Sequence, residues 1–282
     1  MKKYEEIFKN YPHPADEEIT RKTAEIIAKS RENNRPDVLK FLYSCIDLTS
    51  LNTDDSRESI WKFVETVNDF DDLRPDMDNV AAICVYPNFV QTVKEALTVN
   101  VGIASVVAGF PAAQTFIEVK IAEAALAVAN GADEIDMVLN VGDFLDGNYD
   151  ELSIEIEEIK NACRDAELKV ILETGLLKTS ENIRKAAILS MYSGADFLKT
   201  STGKIYPGAN PEAVYVICQT VREYYRQHNR KTGVKVSGGV RTVEDALKYY
   251  AIVKETLGEE WLTPELFRIG ASSLSQNILK VL

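Results

Sequence analysis

The run Ala195-Asp196-Phe197-Leu198-Lys199-Thr200-Ser201-Thr202-Gly203-Lys204 decides how the rest of the chain is read. Two apolar residues lead straight into a lysine; small hydroxyls, a glycine and a second lysine follow. Side chains alternate across a β-strand, so Lys199 shares a face with Phe197 and Ser201, while Leu198 and Thr200 face the other way. Such a strand carries an amine on one row and opens into a loop suited to an anion. An amine among apolar neighbours resists protonation, because desolvation disfavours its charged form. That is the condition for a lysine that attacks carbonyls. The plainer alternative is a lysine whose head reaches solvent from a strand end, since lysines are seldom buried.

Outward from this run the chain has a rhythm. Apolar, β-rich runs at residues 41–49, 80–86, 104–110, 134–140, 168–173, 196–201, 234–237 and 267–270 alternate with helical patterns at 57–67, 89–99, 115–129, 149–163, 180–192, 211–226 and 243–257. A short helix over 273–281 closes the chain. Eight strand–helix units in about 240 residues predict an α/β fold, a TIM (β/α)8 barrel over residues 41–282. A doubly wound sheet is the rival, but it seldom uses so many regular units. Residues 1–40 predict an N-terminal helical extension covering one end of the barrel or an interface. In it Asp16 caps a helix with Ile19, Ala24, Ile26 and Ile27 on its apolar side, closed by Arg31 and Pro36.

Composition narrows the function. A net charge of −12 disfavours nucleic acid and anionic membranes as partners, so any anion site must concentrate positive charge locally. Cys45, Cys84, Cys163 and Cys218 are scattered without a C-x-x-C pair, and His13 and His228 are the only histidines. No metal site is expected. The start Met-Lys-Lys-Tyr-Glu-Glu lacks a signal peptide's apolar core, and no run is long enough to span a membrane. A cytoplasmic protein is expected.

Strand alternation then selects residues. In Glu134-Ile135-Asp136-Met137, the apolar Ile135 and Met137 pack on helices and Asp136 takes the opposite row. In Val234-Lys235-Val236 the valines face helices and Lys235 faces inward. Asp47 and Thr49 share the face opposite Ile46 and Leu48. Asp47, Asp136, Lys199 and Lys235 therefore point into one interior, where an unpaired charge is expensive. Moving a lysine from ~10.4 to about 7 takes about 4–5 kcal/mol. A second ammonium about 4 Å away supplies roughly 4 kcal/mol at an effective dielectric of ~20. Lys199, Lys235 and Asp136 can thus leave one amine neutral as nucleophile, while the charged amine and the carboxylate move protons. A purely structural buried Lys–Asp–Lys network fits the spacing equally well.

Glycine-rich loops form the second constellation. Ser237-Gly238-Gly239-Val240-Arg241-Thr242 follows the seventh strand, and Gly270-Ala271-Ser272-Ser273 ends the eighth. Barrels often bind phosphate at these two loops and the N-terminus of a short helix there. Gly203 and Lys204 add to the same rim. No nucleotide motif is present. Glu173 reads as a capping or ion-pair residue, Tyr86 as rim packing, and His13 and His228 as surface residues without catalytic role.

At these residues the chain resembles deoxyribose-phosphate aldolase. The resemblance rests on Ile46-Asp47-Leu48-Thr49, Ala82-Ile83-Cys84-Val85-Tyr86-Pro87, Gly131-Ala132-Asp133-Glu134-Ile135-Asp136, Ile171-Leu172-Glu173-Thr174-Gly175, Lys199-Thr200-Ser201-Thr202-Gly203-Lys204 and the two glycine loops, in common order from residue 41 onward. It implies a class I aldolase that cleaves 2-deoxy-D-ribose 5-phosphate reversibly to acetaldehyde and D-glyceraldehyde 3-phosphate. It implies a Schiff base on Lys199, with Lys235 and Asp136 as proton-transfer partners. Gly203, Lys204, Gly238, Gly239, Arg241, Ser272 and Ser273 would surround the phosphate, and Asp47 and Thr49 would lie near the sugar. No metal or organic cofactor is implied, and a homo-oligomer, a dimer, is expected. The chain departs from the family at Ala112-Ala113-Gln114. It also lacks a C-terminal tyrosine tail that some members fold over the site, so either slower proton exchange at the enamine carbon or another group in that role is expected. Two alternatives stay open: a lysine aldolase or transaldolase-like enzyme with another acceptor, and a silent barrel that only binds sugar phosphates.

Overall fold

In the computed structural model, which describes residues 3–282, eight parallel strands close into a barrel in sequence order. They are β1 Ile46–Thr49, β2 Ala82–Val85, β3 Gly102–Val107, β4 Glu134–Val138, β5 Glu167–Ile171, β6 Phe197–Lys199, β7 Gly233–Ser237 and β8 Phe267–Ala271. β8 pairs back onto β1, so no edge is left. Helices follow the strands and form the outer layer, as the TIM-barrel expectation required. Met1 and Lys2, the start of the expected extension, lie outside the described residues.

The two rows of each strand divide as the alternation predicts. Ile135, Met137, Leu198, Val234 and Val236 face outward and join one core with the helices. The inward row of β2 and β3 is small and apolar: Ala82, Cys84, Ala104 and Val106 cluster with Leu51, Tyr86 and Phe110. Tyr86 meets Phe110 edge-on at 6.1 Å, the rim packing expected of it. On the other side of the barrel the inward row is charged. Register sets Lys199 beside Lys235, Lys235 beside Arg268, and Asp136 beside Lys169. At the barrel floor a Cβ on Gly233 would come within 2.3 Å of the Phe197 ring, so only glycine lets that ring fill the space.

Local chemistry fixes the helix starts. Ser56 and Ser59 form a capping box for Arg57–Asn68, and Thr242 with Asp245 does so for Val243–Leu257. Asn210 accepts from Ala213 N at 2.8 Å before Pro211 opens Pro211–His228.

Some expectations are corrected. Residues 41–44 are not strand but the end of the helix Pro36–Ser44; β1 begins only at Ile46. Pro36 starts that helix, and Val38, Leu39, Leu42 and Tyr43 form one buried helical face. Phe41 packs between Tyr250 and Phe267 near the start of β8. The expected helix over 89–99 is a 3₁₀ turn, Pro87–Phe89, followed by Val90–Ala96. Asp16 is not the cap of Asp16–Lys29 but its first residue; Ala15 holds the cap position, and Asp16 accepts from Ser180 Oγ at 2.5 Å. Thr23 rather than Ala24 is buried on that helix. After Lys29 the chain turns through Ser30–Asn33 before Pro36. The N-terminal helices lie along the barrel's flank: Lys3–Lys9 packs on Tyr149–Cys163 and Ser180–Tyr192, and Asp16–Lys29 on Pro211–His228 and Val243–Leu257. Among the described residues, no helix is long and apolar enough to cross a membrane.

Candidate active site

The barrel's charged interior is built from six strands. Lys199 at the end of β6 and Lys235 in β7 both donate to Asp136 Oδ2 of β4, each at 2.7 Å. Lys235 Nζ also lies 2.5 Å from Asp47 Oδ2 of β1. All four side chains are buried. The structure thus brings together the four interior charges that strand alternation selected. Gly270 of β8 leaves room for this packing, since a Cβ there would sit 3.3 Å from Lys235 Cε.

Toward the barrel floor lies a tier that the sequence reading passed over. Arg268 of β8 donates to Asp47 Oδ1 at 2.7 Å and forks onto Glu134 of β4 at 2.8 and 3.2 Å. Lys169 of β5 donates to the same Glu134 and comes within 4.0 Å of Asp136 Oδ1. Each is a lone charged residue flanked by apolar ones, in Phe267-Arg268-Ile269 and Leu168-Lys169-Val170. The same signal that selected Lys235 was therefore present for both.

Electrostatics follow from this crowding. Burial by itself would raise the Asp136 carboxyl, but Lys199, Lys235 and Lys169 overturn that and hold it well below the usual carboxylate range. Burial likewise opposes ionisation of Asp47, yet Lys235, Arg268 and Lys169 bring it down to about 2. Burial would strip Lys235 of its proton, but Asp136 and Asp47 hold the ammonium well above the usual lysine range. Lys235 therefore carries its proton at neutral pH.

The mouth is formed by loops after several strands. The loop after β6 lies on the loop after β7: a Cβ on Gly203 would meet Gly238 Cα at 3.2 Å, and one on Gly208 would meet Gly238 O at 2.0 Å. Gly203, Gly238 and Gly239 all have positive φ. Glu173, read as a capping or ion-pair residue, is buried and accepts from Thr202 N at 3.2 Å and Thr202 Oγ1 at 2.5 Å, anchoring the loop that carries Gly203. Burial pushes its carboxyl up. Lys204 is exposed but its ammonium is engaged by the Leu51 carbonyl in the loop after β1. Arg241 is exposed, and its carbonyl accepts from Asn277 Nδ2 at 2.9 Å. That bond ties the loop after β7 to the helix Leu274–Leu279, which Ser272 and Ser273 precede. Thr49, half-buried, donates to Asp47 O at 2.8 Å. Asp47 itself is fully buried, with its carboxylate committed to Arg268 and Lys235 rather than open at the mouth. Among the described residues, no group of three His, Cys, Asp or Glu is placed to hold a metal ion.

Residues 41–277 match the DeoC/LacD family aldolase. The deoxyribose-phosphate aldolase of Homo sapiens is 41% identical over 244 residues, covering 83% of this chain and 77% of that one. That of Bos taurus is 39% identical over 246 residues, with the same coverage of both chains. Among solved structures, an aldolase designated QR15 is 30% identical with a TM-score of 0.71, covering 85% of this chain and 95% of that one. A tetrameric deoxyribose phosphate aldolase from Aeropyrum pernix shares the fold at 23% identity and a TM-score of 0.69, covering 95% of this chain and 97% of that one. The chain belongs to the DeoC/LacD family of aldolases, within it to the deoxyribose-phosphate aldolases, and is a lyase.

Proposed function

We propose that the enzyme cleaves 2-deoxy-D-ribose 5-phosphate reversibly to acetaldehyde and D-glyceraldehyde 3-phosphate through a Schiff base on Lys199. One observation carries this reading: a single buried carboxylate oxygen, Asp136 Oδ2, accepts from both Lys199 and Lys235 at 2.7 Å. The interior rows hold four basic side chains, Lys169, Lys199, Lys235 and Arg268, against three carboxylates, Asp47, Glu134 and Asp136. An interior balanced in charge leaves one amine without a proton, which is the form a nucleophile needs.

In this mechanism the Lys199 nitrogen adds to the C1 aldehyde of the open-chain sugar. A proton moves from nitrogen to oxygen, and the carbinolamine hydroxyl leaves as water with a proton from Lys235. The protonated imine then draws in the electron pair of the C2–C3 bond as that bond breaks. The C3 hydroxyl returns a proton to Lys235 and becomes the aldehyde of D-glyceraldehyde 3-phosphate. Lys235 protonates the enamine at the former C2 carbon, and water hydrolyses the imine, freeing acetaldehyde and giving a proton back. Asp136 orients both amines throughout.

Other features support the substrate. The small apolar row Ala82, Cys84, Ala104 and Val106 offers a face for the acetaldehyde portion. Gly203, Lys204, Gly238, Gly239, Arg241, Ser272 and Ser273 converge on one rim, where they hold the phosphate. Thr49 sits by the sugar, and Asp47 acts on it through Lys235. The same reading has a cytoplasmic homodimer working on small molecules, with no metal or organic cofactor. The test is acetaldehyde plus borohydride with peptide mass analysis. An ethyl group is expected at Lys199, with its loss and loss of cleavage in Lys199→Ala. An adduct at another residue, or full activity in Lys199→Arg, would remove the mechanism.

A further inference from the structure

We infer that Arg268, set beneath the reacting amines, is a positioning residue for catalysis: its fork on Glu134 and its bond to Asp47 aim the Asp47 carboxylate at Lys235. The inference rests on the Schiff-base reading above. Arg268 approaches from the floor of the barrel, and its hydrogen bonds go to Asp47, Glu134 and the Pro264 carbonyl. Its two terminal nitrogens divide the work, one shared by Asp47 and Glu134, the other on Glu134 alone. Nε is tied to the Pro264 carbonyl, and the guanidinium carbon lies 5.9 Å from the Phe197 ring centroid. The head is therefore held by two carboxylates, a backbone carbonyl and a ring face. Lys169 donates to Glu134 Oε2, the oxygen it shares with Arg268, and lies 5.2 Å from the same ring centroid.

Consequences travel along one line of contacts. Asp47 Oδ1 is taken by Arg268 at 2.7 Å, which turns Oδ2 toward Lys235 Nζ at 2.5 Å. Lys235 in turn shares Asp136 Oδ2 with Lys199. The charged or titratable groups facing Lys235 are Asp136 of β4, Asp47 of β1, Cys84 of β2, Lys199 of β6 and Arg268 of β8, the last through Asp47. Without the guanidinium, the Asp47 carboxylate loses one of the two cations it touches and is free to rotate. Lys235 then loses the fixed counter-charge 2.5 Å away that holds its head in place, and its placement beside Lys199 on Asp136 is loosened. A planar fork is what this position demands, since one side chain must satisfy two carboxylates at once.

The base of the barrel makes the idea testable. Arg268 also lines a cavity of about 520 Å³ with Ser44, Asn100, Pro264 and Glu265, open from the side opposite the substrate. Truncation to Arg268→Ala therefore leaves a hole that a small cation can enter. The experiment measures kcat, KM and borohydride trapping at Lys199 in Arg268→Met, Arg268→Lys and Arg268→Ala, with folding followed by circular dichroism. Misplacing a catalytic group by about 1 Å costs on the order of 10²-fold in rate. Arg268→Met should lose kcat on that scale with KM within about twofold. Arg268→Lys keeps the charge without the fork, and should give an intermediate kcat with KM again little changed. Millimolar guanidinium, but not the same concentration of sodium, should restore part of the Arg268→Ala activity. If Arg268→Met does not fold, the lysine and alanine variants carry the test. Wild-type kcat in whichever variants fold would overturn the inference, while an adduct at Lys199 in those same variants would leave the Schiff-base reading intact. No adduct in the unaltered enzyme would instead sink that reading.

Discussion

Replacing Lys235 by Met tests the electrostatic core of the site. Lys235 Nζ lies 2.7 Å from Asp136 Oδ2 and 2.5 Å from Asp47 Oδ2. At an effective dielectric of ~20 each contact represents about 6 kcal/mol of gross attraction, largely offset by desolvation. Removing one partner of a buried ion network costs about 3–5 kcal/mol, because the remaining charges lose their compensation. Domains of ordinary stability, roughly 5–15 kcal/mol, survive such a loss, so the variant should fold with a lower unfolding midpoint. The count of charges also changes. Three basic groups now face three carboxylates, so the interior is balanced with Lys199 carrying its proton, and the nucleophile is withheld. The assay is borohydride trapping of acetaldehyde at Lys199 across pH, read by peptide mass. At pH 7 trapping should slow at least about tenfold, equivalent to ~1.4 kcal/mol, and should recover as pH rises. Turnover should fall further than trapping, since the proton donor is gone as well. A trapping profile that overlays that of the unaltered enzyme would refute the charge argument, whatever happened to turnover.

Arg241→Ala and Lys204→Ala should each lower kcat/KM for the phosphorylated sugar by about 10- to 100-fold, the scale of one charge-assisted hydrogen bond, with little effect on unphosphorylated deoxyribose. Equal losses on both substrates would move the phosphate elsewhere. The buried pair Lys120 Nζ–Glu155 Oε2, 2.8 Å apart, joins helices Ile117–Ala129 and Tyr149–Cys163. Glu155→Gln should cost about 3–5 kcal/mol in urea unfolding, while Lys120→Met with Glu155→Leu should be neutral or stabilising; the reverse order would show that the pair is worth more than apolar packing. Acid should destabilise the barrel from within. Asp47 is lowered from 3.8 to about 2 and Asp136 lies lower still, so their contribution is complete above about pH 4 and is lost as pH falls toward 2. A urea midpoint that stays flat from pH 5 to pH 3 would contradict this sign.

The sequence was most informative where one geometric rule governed the outcome. Three helices, Tyr149–Cys163, Ser180–Tyr192 and Val243–Leu257, begin and end where their apolar spacing places them. It misled at Phe41, where an apolar run served a helix face as well as it would have served a strand. Arg268 and Lys169 carried the inward-charge signature but matched no motif of the catalytic rim, and so stayed out of view; Glu134 lay in a matched segment without being singled out.

What the sequence determined by itself was therefore the number of strand–helix units and the row on which each charge would lie, because alternation and helical spacing are local properties of the chain. What only the tertiary structure decided was who pairs with whom. Asp136 meets Lys199 across 63 residues and Lys235 across 99, and Asp47 meets Arg268 across 221. The Asp47–Arg268 pair exists because β8 closes on β1 and carries the two ends of the barrel into contact. A row can be read along a strand, but a neighbour across a closed sheet is set by shear and register. Those quantities belong to the assembled barrel and not to any one segment.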